Sequence, residues 1–409
     1  MSTPAKMPQA APMPLLQPLT AGFVAAIVGF TSTFAVVLQG LAGVGASPVQ
    51  AASGLLILCV GQGVLAIFLG FRHRQPISIA WSTPGAALLM GAGIPAGGFG
   101  VAITAFLISG CLVIIAGLWR PLGRAVASIP LSLASAMLAG VLMELCLAPA
   151  KAVAHFPELA LPIILAWAVG WCFARRYAVL MAVAVTIILV TITTHLPPDA
   201  LALLRPNLIL TRPVLHFSAA ISIAIPLFIV NMASQNLPGI AVLKANGVAV
   251  PIDKMFITTG LASLPVALFG GHGLNLSAIT AALCAGPEAG PDPTKRYVAS
   301  IAAGAMYILL GPLAGLAAVF IAASPPLLIQ TVAGLALLSS LIAALKATLT
   351  KESHQLAAIV TFITTASGID CFNIGAPLWG LLAGLFLLAL EQGLTVIKKP
   401  SKTNERKSD

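Results

Sequence analysis

Amides and ionisable side chains are scarce in this chain, and several fall inside apolar runs, where such groups are costly and usually functional. Asn231, Ser234, Gln235 and Asn236 stand together just before Leu237-Pro238-Gly239. Asn231 and Gln235 are four residues apart, so a regular helix sets both on one face. There they either hydrogen-bond a carboxylate or tie two helices together. Gln39 is a looser counterpart in the first apolar run. His272 lies in Gly270-Gly271-His272-Gly273. An imidazole titrates in the range where proton coupling operates, so His272 is either a proton or substrate contact or a satisfied structural histidine. Glu144 and Asp370 also interrupt apolar runs near the outer ends of their segments. Each is either a proton carrier or an interfacial charge.

Two short segments frame these groups. Ile77–Trp81 alternates and is β-prone, which suits an extended stretch leading into a helix. Ser82 or Thr83 is placed to cap that helix, with Pro84 at its first position, where a missing N–H costs nothing. Asn275 or Ser277 is placed to cap the corresponding helix after Gly270-Gly271-His272-Gly273. Half-helices that start in mid-membrane point unpaired N–H groups and a partial positive charge inward, and so attract an anion without any Arg or Lys. The plainer reading is a pair of Pro/Gly kinks in packing helices.

The elements that must position them span a membrane. Of 409 residues, 59% are hydrophobic and 8% charged, against roughly 25% charged in an ordinary soluble domain. So little charge cannot coat a water-soluble globule. A cytosolic enzyme, a secreted disulfide scaffold and a disordered protein are thereby excluded. The net charge of +10 comes from basic residues scattered singly and in pairs, which are topology signals and not a nucleic-acid stripe. Cys59, Cys111, Cys146, Cys172, Cys284 and Cys371 are isolated in apolar surroundings and read as small buried hydrophobes. No metal-ligand spacing, phosphate-cradling loop or zinc-protease motif occurs, so no cofactor, metal or enzymatic chemistry is expected.

Breaks at Gly/Pro clusters and charges place spans near 19–43, 48–70, 77–91, 97–118, 122–147, 158–174 and 178–196. A second set falls near 215–243, 252–271, 273–286, 296–322, 325–346, 354–372 and 375–397. With fourteen crossings the Lys and Arg residues of loops and tails lie inside, apart from Lys151, Arg205 and Arg212. If the two short segments did not cross, Arg120, Arg124, Arg175, Arg176, Lys244 and Lys254 would move outside. The expectation is an all-α polytopic membrane protein of 14 spans, both termini cytoplasmic, with short β-stretches leading into half-helices 3 and 10. An odd number of spans per half makes this a 7+7 inverted repeat, and paired interrupted segments point to a transporter's binding site. Residues 1–18 form a cytoplasmic tail, 19–196 the first repeat, 197–214 a periplasmic linker, 215–397 the second repeat and 398–409 the C-terminal tail. Asp253, Lys254, Glu288, Asp292, Lys295 and Arg296 read as solvated charges around cytoplasmic turns.

The run Asn231–Gly239, the run Gly270–Pro287 and Trp81-Ser82-Thr83-Pro84-Gly85-Ala86-Ala87-Leu88-Leu89 resemble the benzoate:proton symporter (BenE-type) family of bacteria. The resemblance covers nearly the whole chain. It implies import of benzoate or a close aromatic acid across the bacterial inner membrane, coupled to protons. More distantly, the layout is similar to nucleobase–ascorbate and SulP anion transporters, which implies a core of spans 1–4 and 8–11 moving against a gate of spans 5–7 and 12–14. Nucleobase carriers have carboxylates where this chain has Asn231 and His272. An anionic ligand would be repelled by carboxylates and suited by amides, helix ends and a protonated imidazole. Benzoate's carboxylate is then expected near Ser82, Thr83 and Ser277, helped by Asn231, Gln235, Asn275, Gln39 and His272, with Trp81 taking the ring. A proton-independent anion channel or exchanger, or a nucleobase-type symporter, is the alternative, and whether the protein forms a homodimer stays open.

Overall fold

The computed structural model describes residues 15–119, 121, 129–193, 207–277, 279–371 and 374–397. Lys6, Arg120, Arg124, Arg205 and the basic residues after 397 lie outside them, as do most of the two tails and part of the linker.

Helices dominate because unbroken apolar sequence in lipid satisfies its own backbone only as helix. The first half runs α1 (Leu16–Gly43), α2 (Pro48–His73), strand β1 (Ile79–Ala80), α3 (Thr83–Gly91), α4 (Phe99–Leu118), α5 (Leu131–His155), α6 (Pro157–Phe173) and α7 (Ala178–Thr193). The second runs α8 (Phe217–Asn231), a π turn (Met232–Asn236), α9 (Leu237–Ala245), α10 (Ile252–Leu268), strand β2 (Asn275–Leu276), α11 (Ile279–Ala285), α12 (Tyr297–Leu310), α13 (Leu313–Ala323), α14 (Pro326–Thr348), α15 (Gln355–Ala366), strands β3 (Asp370–Cys371) and β4 (Ile374–Gly375), and α16 (Ala376–Ile397).

Among the described residues, six helical stretches are long and apolar enough to cross a bilayer: 16–43, 48–73, 99–118, 131–155, 220–245 and 326–348. A seventh arises if the pair at 293–310 and 313–321 counts as one span, although it is bent by 58°. The chain is a multi-pass membrane protein.

Four boundaries differ from the sequence reading. The fifth span, expected at 122–147, is the helix Leu131–His155: Pro130 stands at its start, and it runs on through Pro149 where a break was expected. Lys151 is therefore helical and not in a loop. The segment at 296–322 is divided at Gly311-Pro312. The helix expected to reach 372 ends at Ala366, because Gly368 turns the chain at φ +66° into the β3–β4 hairpin, which holds Asp370. Finally, the turn at 232–236 is π and not α.

Packing falls into two groups. α1 and α2 pack on α12, α4 packs on α8 and α10, α1 on α3, and α2 on α13. Separately, α5 packs on α14 and α15, α15 on α16, and α6 on α7. Along the seam between the groups α3 meets α5, and α1 meets α14.

Candidate functional site

The site is built on a two-residue antiparallel ladder in the interior. Ile79 pairs with Leu276 and Ala80 with Asn275, and the Ser277 N–H donates to the Ser78 carbonyl at 2.9 Å. Backbone this irregular is tolerated at membrane depth only when buried in protein, and Ile77, Ile79, Leu274 and Leu276 are all buried. On the far side of β1, Trp81 N–H donates to Gln62 Oε1 at 2.9 Å.

Each strand leads into a short helix. Ser82 is the N-cap of α3, its hydroxyl accepting from the Gly85 N–H at 2.9 Å, and Pro84 falls in the first turn. In the other half the Ser277 hydroxyl accepts from the Thr280 N–H at 3.0 Å, so Ser277 caps and Asn275 is a strand residue. Arg296, expected as a solvated loop charge, instead donates from Nη1 to the Ala285 carbonyl at 2.7 Å and from Nε to the Gly290 carbonyl at 2.8 Å. It thus satisfies the C-terminal end of α11, where a cation suits the helix dipole.

His272 closes the space between the halves. It is 1% exposed, and its Nε2 lies 2.9 Å from the Ser82 carbonyl, which also takes the Ala86 N–H at 2.9 Å. A carbonyl only accepts, so Nε2 carries the hydrogen and Nδ1 presents a lone pair. That Nδ1 is buried and has no partner. The ring meets Phe106 edge to face, with centroids 6.5 Å apart.

The amides follow from the π turn. Its wider winding carries Asn236, five residues after Asn231, to β2: Oδ1 accepts the Leu276 N–H at 3.0 Å, and Nδ2 donates to Asn275 Oδ1 at 3.1 Å. Pro238 supplies the local reason, since it has no N–H for the Ser234 carbonyl and its ring would crowd that carbonyl in an α-helix. π turns of this kind recur at functional sites. Gln235 is buried on the turn, but Asn236 is the residue that clamps the strand. Asn236 and Gln62 went unselected in the sequence. Asn236 stands in the run already singled out and needed only the shift from four to five residues, whereas nothing around Gln62 marked it. Asn231 is 2% exposed and sits against the first turn of α3, where a Cβ on Gly85 would come within 2.8 Å of its Oδ1. Only glycine admits Asn231 there.

Several polar atoms of this region are buried without partners: Asn231 Oδ1, His272 Nδ1, Asn275 Nδ2 and Gln62 Nε2. Each such atom costs roughly 1–3 kcal/mol when left unpaired. Buried polar atoms are nearly all paired in folded proteins, so this cluster around the start of α3 marks the candidate site.

The other expected site residues differ in their surroundings. Trp81 is committed to packing: its Nε1 donates to Thr33 Oγ1 at 3.0 Å, and its ring meets Phe30 and Tyr307 at centroid distances of 6.3 and 5.6 Å. Thr83 is half-buried as the first residue of α3. Gln39 and Glu144 share a cavity of about 390 Å³ at the far end of α3, lined also by Met90, Gly91, Lys151 and Gln330. Asp370 lies on β3, in a hairpin whose β4 strand packs on α8 and α16. A second cleft of about 440 Å³, lined by apolar residues such as Leu131, Ile229, Ala233 and Leu237, separates the start of α5 from α8 and α9. Both volumes fall in the range of small-molecule pockets, about 300–1,000 Å³.

Comparison with known proteins gives this geometry its context. The sequence profile of the BenE family, described as "Benzoate membrane transport protein", matches residues 14–390. The chain is 37% identical over 372 residues to "Inner membrane protein YdcO" of Escherichia coli (strain K12), covering 90% of this chain and 93% of that one. It is 29% identical over 367 residues to "Benzoate membrane transport protein" of Acinetobacter baylyi, covering 89% and 92%. In fold it resembles the transmembrane domain of the cyanobacterial bicarbonate transporter BicA, with a TM-score of 0.61 at 15% identity, covering 92% of this chain and 99% of that one. It also resembles the anion transporter SLC26A9, with a TM-score of 0.63 at 13% identity, covering 92% and 66%.

Proposed function

The chain belongs to the BenE family of membrane transport proteins, and from that premise we propose that it imports benzoate or a close aromatic carboxylate by symport with protons across the bacterial inner membrane. It is a transporter and not an enzyme. The observation that carries the substrate reading is the set of buried, unpartnered polar atoms of His272, Asn275, Asn231 and Gln62, beside the N-terminal end of α3 and with no Lys, Arg, Asp or Glu hydrogen-bonded among them. Amide N–H groups and a helix start suit an anion, whereas a bound cation would want carboxylates.

The proton follows from the tautomer. With Nε2–H tied to the Ser82 carbonyl, Nδ1 offers a lone pair that repels an approaching carboxylate. One proton on Nδ1 turns it into a donor, so anion and proton bind best together. The pair is neutral, which removes the cost of about 2.3 kcal/mol per 100 mV of moving an anion toward a negative interior. In this reading all fourteen segments cross, in two inverted sets of seven with both termini cytoplasmic. α1–α4 with α8–α13 form the moving core, and α5–α7 with α14–α16 the gate. Ser82, Thr83, Ser277, Asn231, Asn275 and Gln235 surround the carboxylate.

The test is counterflow of labelled benzoate in proteoliposomes, challenged with uracil, sulfate and substituted benzoates. Competition by substituted benzoates alone supports the reading, and competition by uracil or sulfate alone overturns it. The likeness to anion transporters supports a second reading, proton-independent anion movement. Benzoate uptake that ignores an imposed pH gradient would establish it in place of symport.

A further inference from the structure

The Glu144 cavity lies on the seam between the two packing groups and is walled by α1, α3, α5, α13 and α14. The charged members of its lining are Glu144 and Lys151, both on α5, and the other four helices contribute none. Lys151 follows Glu144 by seven residues, about 10 Å farther along the helix axis. What shares the cavity with Glu144 at its α3 side accepts hydrogen bonds. Met90 and Gly91, the last residues of α3, line it. The final carbonyls of a helix lack intrahelical partners and carry the negative end of its dipole. Gln39 Oε1, on α1, is buried there without a partner.

We infer that Glu144 is a second protonation site, and that its neutralisation lets the α3 end of the core close onto α5. As a carboxylate, Glu144 is repelled by the C-terminal end of α3 and by the Gln39 oxygen, which holds the cavity open and wet. A proton taken up from the water of the cavity makes it a donor, and the same approach becomes a hydrogen bond to Gln39 Oε1 or to an α3 carbonyl. The proton returns to that water when the cavity reopens. This step is distinct from the proton on His272, and it rests on the core–gate motion of the proposed function but not on the substrate.

Gly91 supplies a reporter, because a Cβ added there meets nothing within 4 Å. The Gly91→Cys chain in vesicles is labelled with a membrane-impermeant maleimide, and each rate is divided by that of the unfolded chain at the same pH. The chain with Gly91 intact sets the background from the exposed Cys111, Cys172 and Cys371. Labelling is expected to be slower at about pH 4 than at about pH 8, a span across which a carboxyl group takes up its proton. Adding Glu144→Gln should make it slow at both values. Adding Glu144→Asp, which keeps a titratable carboxyl, should preserve the dependence and controls for misfolding, as should adding Lys151→Gln. Labelling that is independent of pH before any second substitution overturns the inference. So does a dependence that survives Glu144→Gln, and so does one that vanishes with Lys151→Gln, since Lys151 would then be what neutralises Glu144. No substrate is present in this assay, so pH-dependent closure without benzoate counterflow would sink the substrate reading alone.

Discussion

The two interrupted segments occupy matching places in the halves, yet they are finished differently. Around β1 and α3 most polar groups have a partner: the Ser82 hydroxyl caps Gly85, the Ser82 carbonyl accepts twice, and Trp81 is bonded through both its backbone and ring nitrogens. Around β2 and α11 the ends are open. His272 Nδ1 and Asn275 Nδ2 are buried and unpaired, and α11 spans only Ile279–Ala285, its far end held by Arg296. Within the segments themselves the unspent hydrogen-bonding capacity thus lies in the second, whereas the first is flanked by the unpaired Asn231 Oδ1 and Gln62 Nε2 of neighbouring helices. In the proposed inverted repeat a mid-membrane socket needs both helix starts, but only one must carry the chemistry.

The largest effect should come from His272→Gln. A glutamine amide can still donate to the Ser82 carbonyl, so the junction between halves is kept, while the titratable nitrogen is lost. Benzoate-driven proton entry in proteoliposomes is expected to fall more than tenfold, with benzoate counterflow reduced less. Proton entry at the unsubstituted rate would remove His272 from coupling and transfer its role to Glu144 or Asp370.

Next in size is Asn236→Ala, which strips the acceptor from the buried Leu276 N–H and the donor from Asn275 Oδ1. Two buried groups left unpaired cost about 1–3 kcal/mol each. Thermal stability in detergent and benzoate affinity should therefore fall together. Asn236→Asp returns the acceptor but brings a negative charge to the socket, so it should recover part of the stability and none of the affinity. Recovery of both would mean that no anion binds beside the strand.

This clamp also marks where sequence stopped being informative. Glycine, proline and serine placed both interrupted segments, since Ser82, Pro84, Gly270 and Gly273 act within one or two residues of themselves. Asn236 depends on whether a turn closes after four residues or five, which Pro238 decides only in concert with the strand that Asn236 reaches. Gln62 is chosen by Trp81, nineteen residues away, and no local pattern encodes such a distance. Trp81 shows the complementary limit. A tryptophan at a break resembles a ligand platform, but its ring is claimed by Phe30, Thr33 and Tyr307, whose positions only the tertiary structure fixes.

A smaller effect is expected from Ser82→Ala. The cap is worth about 1 kcal/mol, and its loss should lower thermal stability modestly. The Ser82 carbonyl that orients His272 belongs to the backbone and survives, so the number of protons moved per benzoate should not change. A changed ratio would show that the first segment takes part in coupling and would erase the contrast between the two.

Trp81→Phe sharpens the comparison with the smallest signal. The substitution keeps an aromatic body between Phe30 and Tyr307 and deletes the hydrogen bond to Thr33, worth about 0.5–1.5 kcal/mol. If Trp81 is wall and not ligand contact, the KM for benzoate should stay within about twofold, because the loss falls on the fold in every state of the cycle and not on binding. The KM ratio between benzoate and a ring-substituted benzoate is the sharper reading. A wall residue leaves that ratio where it was, whereas a residue touching the ring shifts it even when both KM values move little. A shifted ratio would return the ring to the first segment and place the socket across both halves equally.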